Sequence, residues 1–282
     1  MRASKERFMP DLHDAVLSQI ERYLRSNAPA SQKLYAVLEH LAMYRSRLVQ
    51  LTLIREEGQQ VLNGPFTGMK LANGSVTGCY MPKLLGCYEA ELHPYIKEMA
   101  QRGYQAVINI GSAEGYYAIG MARLLPDCTI YTYDIDPNAQ TLCAELARHN
   151  GVAGQMVIGG QFRGEAFDAF AGRKTLVVCD IEGGEADLLD PVRFPALRRM
   201  DVIVELHDSD ERKCSEIVPS RFAPTHDVKM VHRSSRDLEL PRIFDQLGDL
   251  DRLLATWEWR VGPTPWAVMT AREREPAEGP GR

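Results

Sequence analysis

Two glycines in the middle of the chain are placed to form a cofactor-binding turn. The sequence from Val107 onward reads Val-Ile-Asn-Ile-Gly-Ser-Ala-Glu-Gly-Tyr-Tyr, which puts Gly111 and Gly115 between a predicted strand and a predicted helix. Glycine allows the backbone to approach a bound cofactor closely at such a turn. Ala113 stands where a dinucleotide fingerprint has its middle glycine, so the turn does not favour a pyrophosphate. The spacing therefore indicates a nucleotide-type cofactor that lacks a pyrophosphate.

An acidic residue at the end of the next predicted strand supports this interpretation. Proteins that bind an adenosine-containing cofactor hold the ribose hydroxyls with an acid about 20 residues beyond the glycine turn. Asp134 closes the β-branched and aromatic run Thr129-Ile-Tyr-Thr-Tyr, and Asp136 and Pro137 then turn the chain toward another helix. We therefore predict that Asp134 binds the ribose. The alternative is that the glycine spacing arose by chance and that Asp134 is a solvated loop residue.

Acidic side chains and one histidine follow two further apolar runs. They are Asp180, Glu182 and Glu185 after the run at 174–179, and Glu205, His207 and Asp208 after the run at 201–204. Ligands of α/β sheets bind at the carboxyl ends of the strands, so these groups should face one crevice. Glu182 and Glu185 could instead cap the helix that follows them.

The order of these motifs resembles that of the FkbM-type family of class I S-adenosylmethionine-dependent methyltransferases. The matching segments are G-C-Y-E-A-E-L at 86–92, N-I-G-S-A-E-G-Y-Y at 109–117, Asp134, D-I-E-G-G-E at 180–185 and E-L-H at 205–207. The resemblance covers residues 80–210. It implies S-adenosylmethionine as cofactor and, as methyl acceptor, a hydroxyl oxygen of a small molecule, sugar or glycan. The cofactor-binding residues it implies are Tyr88, Glu89, Asn109, Gly111, Ser112, Gly115, Tyr116, Asp134, Asp180 and Glu182.

One departure from the family pattern concerns Asn109. The family's loop usually opens with Asp, so a neutral amide here replaces a carboxylate expected near the cofactor. Either cofactor binding is weaker, or Glu114 supplies the missing charge.

Methyl transfer requires alignment of the reactants and often a base, because the sulfonium is already activated. We predict His207 as the base, since its unperturbed pKa lies near neutral pH, with Asp208 or Glu205 orienting its imidazole. The alternative is a histidine with a purely structural role. Asp180, Glu182, His207 and Asp208 could also hold Mg²⁺ and lower the pKa of a substrate hydroxyl. They do not match the consecutive aspartates of the sugar O-methyltransferases that use such a metal, and we predict no metal.

Other functions remain open at this point. An NAD-type oxidoreductase shares the fold, but Ala113 argues against it. A noncatalytic cofactor-binding or scaffold protein is suggested by Asn109. N-methylation or protein methylation would use the same cofactor residues and differ only in the acceptor.

Composition restricts the partners and the location. The chain has 282 residues and a net charge of −5, so it lacks the basic surface expected of a nucleic-acid-binding protein. It contains no apolar run of about 18 residues and no apolar leader, so we expect no membrane association and a cytoplasmic location. The 6 cysteines include no C-x-x-C pair, so we expect no structural zinc, and Cys128 and Cys179 should be buried thiols.

The predicted fold class is α/β: a Rossmann-like, doubly wound, seven-stranded methyltransferase sheet with an N-terminal helical extension. Residues 1–78 are predicted to form the extension and a linker, 79–271 the class I methyltransferase domain, and 272–282 a disordered tail.

The N-terminal extension carries an apolar stripe. From Ser31 to Gly58, Leu34, Leu38 and further apolar residues recur at helical spacing. The stripe is expected to pack on its own domain, or else to form a homodimer interface or a substrate lid.

Overall fold

The computed structural model describes residues 2–71, 79–233, 240–260, 262 and 264–272, with side chains from residue 12 onward. Contacts divide the chain into two compact units. One comprises Met1–Gly58, Cys79–Pro82 and Glu239–Trp259, and the other comprises Gln59–Gly78, Lys83–Leu238 and Arg260–Arg282.

The second unit is built on a seven-stranded sheet in the order β3-β2-β1-β4-β5-β7-β6. The strands are β1 (Ala106–Ile110), β2 (Thr129–Tyr133), β3 (Met156–Gly159), β4 (Thr175–Cys179), β5 (Asp201–Glu205), β6 (His226–Val231) and β7 (Trp266–Ala271). Neighbouring strands from β3 to β5 are parallel, whereas β7 runs antiparallel to both β5 and β6. The predicted doubly wound, seven-stranded fold is confirmed.

Helices cover the sheet and form the smaller unit. They are α1 (Arg2–Arg25), α2 (Ala30–Glu57), α3 (Tyr80–Leu85), α4 (His93–Met99), α5 (Tyr116–Leu124), α6 (Pro137–His149), α7 (Glu185–Leu188), α8 (Cys214–Phe222) and α9 (Asp249–Ala255). Short 3₁₀ helices occupy Ala90–Leu92, Ala153–Gln155, Gly164–Phe170, Pro195–Arg199 and Arg242–Gln246. No helix among the described residues is long and apolar enough to span a bilayer.

The central strands are mostly apolar because both of their faces are covered. Every residue of β1, β4 and β5 is buried, as expected for parallel strands between two helical layers. In the register of the sheet, Ile110 at the end of β1 pairs with Tyr133 of β2 on one side and Cys179 of β4 on the other. The order of the strands reverses between β1 and β4, so the turn after β1 opens at the place where α/β folds bind ligands.

The smaller unit differs from the predicted extension. Helices α1 and α2 form an antiparallel pair, as the ring contacts of His13 with Tyr44 and of Tyr23 with His40 show. Helix α9 joins them, because the guanidinium of Arg45 donates to both carboxylate oxygens of Asp251 at 2.6 and 2.7 Å. Contacts thus place residues 240–259 in the smaller unit, whereas the sequence-based division places them in the methyltransferase domain.

Residues 59–71 also lie on the other side of the predicted boundary. Gln60 and Lys70 form a β-bridge, the amide of Val61 donates to the carbonyl of Met69 at 2.8 Å, and Phe66 is buried in the second unit. These residues were predicted as a linker. The tail predicted from residue 272 lies outside the described residues except for Arg272, which pairs with Asp227.

The apolar stripe on α2 is only partly covered. Val49 and Leu53 are buried, whereas Leu34, Leu38 and Leu41 are exposed in the described chain. Packing within one chain therefore accounts for the C-terminal half of the stripe alone.

Candidate cofactor and catalytic site

The glycine turn is closed by contacts within the protein. Gly111 has a φ of 76°, and a Cβ there would lie 1.6 Å from the carbonyl oxygen of Asp180. Gly115 has a φ of 94°, and its Cβ would lie 2.7 Å from Sγ of Cys143. Both positions therefore require glycine because of the left-handed backbone and the close approach of β4 and α6.

Hydrogen bonds to Asp134 connect the same turn to the end of β2. Its Oδ2 accepts the amide N–H of Ala113 at 2.7 Å, and its Oδ1 accepts that of Asp136 at 2.9 Å. The amides of Gly111 and Ser112 donate to the carbonyl of Tyr133 at 2.9 and 3.1 Å. Asp134 and the glycine turn, both predicted to bind the cofactor, are thus adjacent in space. The Asp134 carboxylate retains lone pairs that can accept further hydrogen bonds.

An aromatic cluster lies beside the first turn of α5. Tyr116 is buried, and its ring makes edge contacts with Tyr88 at 5.5 Å and with Phe66 at 5.3 Å. Lys83 Nζ lies 5.1 Å from the Tyr88 ring centre and 2.6 Å from the Glu114 carboxylate. Glu114, the alternative source of the charge missing at Asn109, is therefore held in a buried ion pair with Lys83.

Asn109 lies within β1 and is buried. Its Nδ2 donates to the carbonyl of Val178 at 3.3 Å, while its Oδ1 accepts no hydrogen bond from the described residues. The buried acceptor lies one residue before the end of β1, next to the glycine turn.

His207 is surrounded by carboxylates. Its Nδ1 lies 2.9 Å from Oε1 of Glu185, whose side chain has no exposed surface. Its Nε2 lies 3.4 Å from Glu182, 3.8 Å from Glu205 and 3.9 Å from Asp180. The residue that orients the imidazole by a hydrogen bond is therefore Glu185.

The predicted orienting role of Asp208 is wrong. Its Oδ1 accepts the amide of Ser215 at 2.9 Å and its Oδ2 accepts the Ser215 hydroxyl at 2.7 Å, at the start of α8. These bonds and nearby Lys213 outweigh the effect of burial and lower the pKa of Asp208. Its contacts therefore stabilise the beginning of α8.

The carboxylates near His207 shift the pKa values of His207 and Asp180. Burial alone would lower the pKa of His207, but the hydrogen bond that its Nδ1–H donates to Glu185 and the charges of Glu205 and Asp180 raise it to about 9. Burial and the nearby Glu205 raise the pKa of Asp180 to about 8, although His207 opposes this. The imidazole is thus protonated at neutral pH.

Arg260 joins two buried carboxylates that came from separate sequence motifs. Its guanidinium donates to Glu89 and to Glu205, and Thr264 donates to Glu205 at 2.6 Å. The hydroxyl of Tyr117 donates to Glu89, which has no exposed surface. Burial and the charge of Glu205 raise the pKa of Glu89, with Arg260 opposing them.

Glu89 lies just before a short 3₁₀ turn. Its φ is 48°, in the left-handed region, and α4 begins only at His93 after a 3₁₀ turn. Its side chain is buried against Arg260 and Tyr117.

A cation could be held at the same place. Asp180, Glu205 and His207 each offer a ligand atom, and these atoms lie within 4.8 Å of one another. Oδ1 of Asp180 is buried and accepts no hydrogen bond from the described residues. The magnesium set considered as an alternative in the sequence shares Asp180 and His207 with this cluster, which has Glu205 in place of Glu182 and Asp208.

Sequence reasoning missed the roles of Glu185 and Arg260. Glu185 stands in a quoted motif, but its partner His207 lies 22 residues away. Arg260 has no motif of its own, and it follows a predicted helix as a single basic residue. Arg260 could have been found only indirectly, because carboxylates buried at Glu89 and Glu205 require a cation between them.

Comparisons with known proteins agree in fold. No family model and no curated protein matches the chain. Solved structures that resemble it include the O-methyltransferase TomG from Streptomyces achromogenes in complex with SAM, at 15% identity and a TM-score of 0.44, covering 68% of this chain and 83% of TomG. A human methyltransferase 10 domain containing protein is 12% identical with a TM-score of 0.46, covering 81% of this chain and 96% of that one.

An O-methyltransferase from Bacillus cereus in complex with SAH is 10% identical with a TM-score of 0.42, covering 63% of this chain and 79% of that one. At such scores the likeness adds no functional argument. The functional conclusion rests on the strand order and the side chains of this chain.

Proposed function

We propose that the chain is an S-adenosylmethionine-dependent methyltransferase that methylates a hydroxyl oxygen of a small molecule, sugar or glycan. One observation carries the proposal: the Asp134 carboxylate is bonded to Ala113 in the glycine turn at the carboxyl edge of the sheet. An acid and a glycine turn joined in this way suit the ribose and the methionine moiety of the cofactor. The resemblance of the motifs to the FkbM-type family supports the same cofactor and acceptor.

The charge of the site favours a cationic cofactor. Five carboxyl groups, those of Glu89, Asp180, Glu182, Glu185 and Glu205, surround the two cations Arg260 and His207. A bound sulfonium would favour the ionised forms of Asp180 and Glu89, whose pKa values burial raises. It would also lower the pKa of His207, because a nearby like charge disfavours the protonated imidazole.

His207 is the proposed base. Because Nδ1 is held by Glu185, Nε2 is the nitrogen that can receive the proton of the acceptor hydroxyl. As the proton leaves, the oxygen attacks the methyl carbon, the carbon–sulfur bond breaks, and S-adenosylhomocysteine remains. Glu185 positions the imidazole and stabilises its charged form, as a buried acid does for other catalytic histidines.

A divalent cation is a second way to activate the acceptor, since Asp180, Glu205 and His207 could bind one. In that case the ion would lower the pKa of the hydroxyl, and His207 would serve as a ligand. Methyl transfer that stops on chelation and returns with Mg²⁺ or Mn²⁺ would support this variant. Transfer that continues in chelator would support the base.

The experiment that tests the function is a methyl-transfer assay with isotopically labelled S-adenosylmethionine and panels of hydroxyl, amine and protein acceptors. Product from hydroxyl acceptors that is lost in His207→Gln would support O-methylation. Product only from amines or proteins would identify N- or protein methylation. Cofactor binding without any product would favour the noncatalytic scaffold suggested by Asn109.

A further inference from the structure

A basic cavity of about 810 Å³ lies at the opposite end of the sheet from the candidate active site. Its charged lining residues are Arg102, Lys174, Arg198, Arg199, Asp201 and Arg272. Thr175 and Asp180 mark the two ends of β4, so the cavity and the active site are separated by the length of a strand, about 16 Å. Its volume is that of a small-molecule site, for which about 300–1,000 Å³ is typical.

The inner wall of the cavity is ordered by a closed hydrogen-bond network. Asp201 is buried, and its carboxylate accepts from the Tyr104 hydroxyl, from Arg102 at 3.3 Å and from the amide of Ala271 at 2.8 Å. Burial and this hydrogen bond to Asp201 raise the pKa of Tyr104, which therefore stays neutral and acts as a donor. Asp201, the carboxylate of the described lining, thus accepts hydrogen bonds from the protein at both of its oxygens.

The remaining charge of the lining is positive. Arg102 is balanced by Asp201 and Glu98, and Arg272 is balanced by Asp227. Lys174, Arg198 and Arg199 have no carboxylate partner among the described residues of the chain. Arg198 donates Nε to the carbonyl of Pro191 at 2.9 Å, which fixes the stem of its side chain.

We propose that this cavity binds a small phosphorylated molecule, at a site separate from the active site. Three unbalanced cations around one opening match the charge of a diphosphate. Guanidinium groups suit phosphate oxygens because their N–H donors form paired, charge-assisted hydrogen bonds. Pro195 and Pro224 add an apolar wall for the rest of the ligand. The net charge of −5 opposes a long nucleic acid, which needs an extended basic surface.

Titration calorimetry at low ionic strength tests the proposal with pyrophosphate and ADP as probes. We expect both to bind, with affinity that falls as salt rises, and about tenfold weaker binding in Arg199→Gln and in Lys174→Gln. Arg148→Gln, which removes an exposed arginine of α6 in the same unit, is the matched control and should bind within about twofold of the original chain. Thermal unfolding of each variant verifies that it is folded.

Two further arms complete the experiment. Residues 273–282 contain three glutamates, so binding is also measured on a chain ending at Arg272, to exclude competition by these acids. ADP binding much tighter than pyrophosphate would identify a nucleotide as the source of the phosphate. The proposal is overturned if neither probe binds at millimolar concentration to either chain, if Arg148→Gln weakens binding as much as Arg199→Gln, or if an oligonucleotide binds far more tightly than both probes.

Discussion

The Nδ1 atom of His207 lies 2.9 Å from Oε1 of Glu185, a carboxylate with no exposed surface at the start of α7. The same oxygen accepts the amide of Gly183 at 3.0 Å, so Glu185 is fixed by backbone and imidazole together. Burial would raise the pKa of Glu185, but these hydrogen bonds outweigh it and lower the pKa. Glu185 is therefore ionised beside a protonated imidazole, and Nε2 is directed toward Asp180, Glu182 and Glu205.

Replacing Glu185 should change the titration of His207. In Glu185→Gln a neutral amide replaces the anion that holds the imidazole, so the pKa of His207 should fall clearly below about 9. NMR titration of the imidazole nitrogens measures this. Asp208→Asn is the matched control and should leave the titration unchanged, because Asp208 bonds to Ser215. Equal shifts in the two variants would show that Glu185 has no special role.

The stability contributed by His207 should depend on pH. The folded chain raises its pKa from 6.5 to about 9, so the protonated form is bound more tightly in the folded state. Its stabilisation is fully present below pH 6.5 and is lost as the pH rises through about 9. Urea denaturation of the original chain and of His207→Gln should therefore show a stability difference that shrinks between pH 6.5 and pH 9.5. A difference that stays constant over this range would refute the assignment.

Removing the charge of Arg260 should destabilise the second unit. Arg260→Met leaves Glu89 and Glu205 buried without their common cation, and breaking such a pair lowers the free energy of unfolding by about 3 kcal/mol or more. Chemical denaturation measures the loss. Arg212→Met, which removes an exposed arginine paired with Asp187, should show no measurable change. A stability of Arg260→Met equal to that of this control would mean that the two glutamates are neutral.

The exposed part of the α2 stripe should mediate self-association. Leu34 and Leu38 are 67% and 66% exposed, and a second copy of the chain would bury them. We expect a homodimer in analytical ultracentrifugation that the double change Leu34→Glu and Leu38→Glu converts to monomer. Val192→Glu, at an apolar side chain 76% exposed in the second unit, should remain dimeric. A monomeric original chain would contradict the prediction.

The sheet could be predicted because its signals are local. Each central strand is five residues long with an apolar middle, and the glycine turn between β1 and α5 contains the residues that its backbone requires. Asp134 was placed correctly beside that turn since the parallel register of β1 and β2 brings it there.

The hydrogen bonds and ion pairs of the site could not be predicted because they join segments that are far apart in the sequence. Asp208 was chosen to orient His207 for its adjacency in sequence, but successive residues of an extended chain point to opposite sides. The actual partner, Glu185, is brought near by the pairing of β4 with β5. Arg260 lies 171 residues from Glu89, and only the folded chain joins them.

The central claim is that Asp134 and the glycine turn bind S-adenosylmethionine. It is tested most directly by titration calorimetry of the chain with S-adenosylmethionine, S-adenosylhomocysteine and NAD, repeated on Asp134→Ala, with Asp168→Ala as an exposed control on the 3₁₀ helix Gly164–Phe170. We predict that the first two ligands bind and NAD does not, and that Asp134→Ala, verified as folded by thermal unfolding, loses most of the affinity while Asp168→Ala retains it. Binding of NAD, or no binding of S-adenosylmethionine at millimolar concentration, would contradict the account.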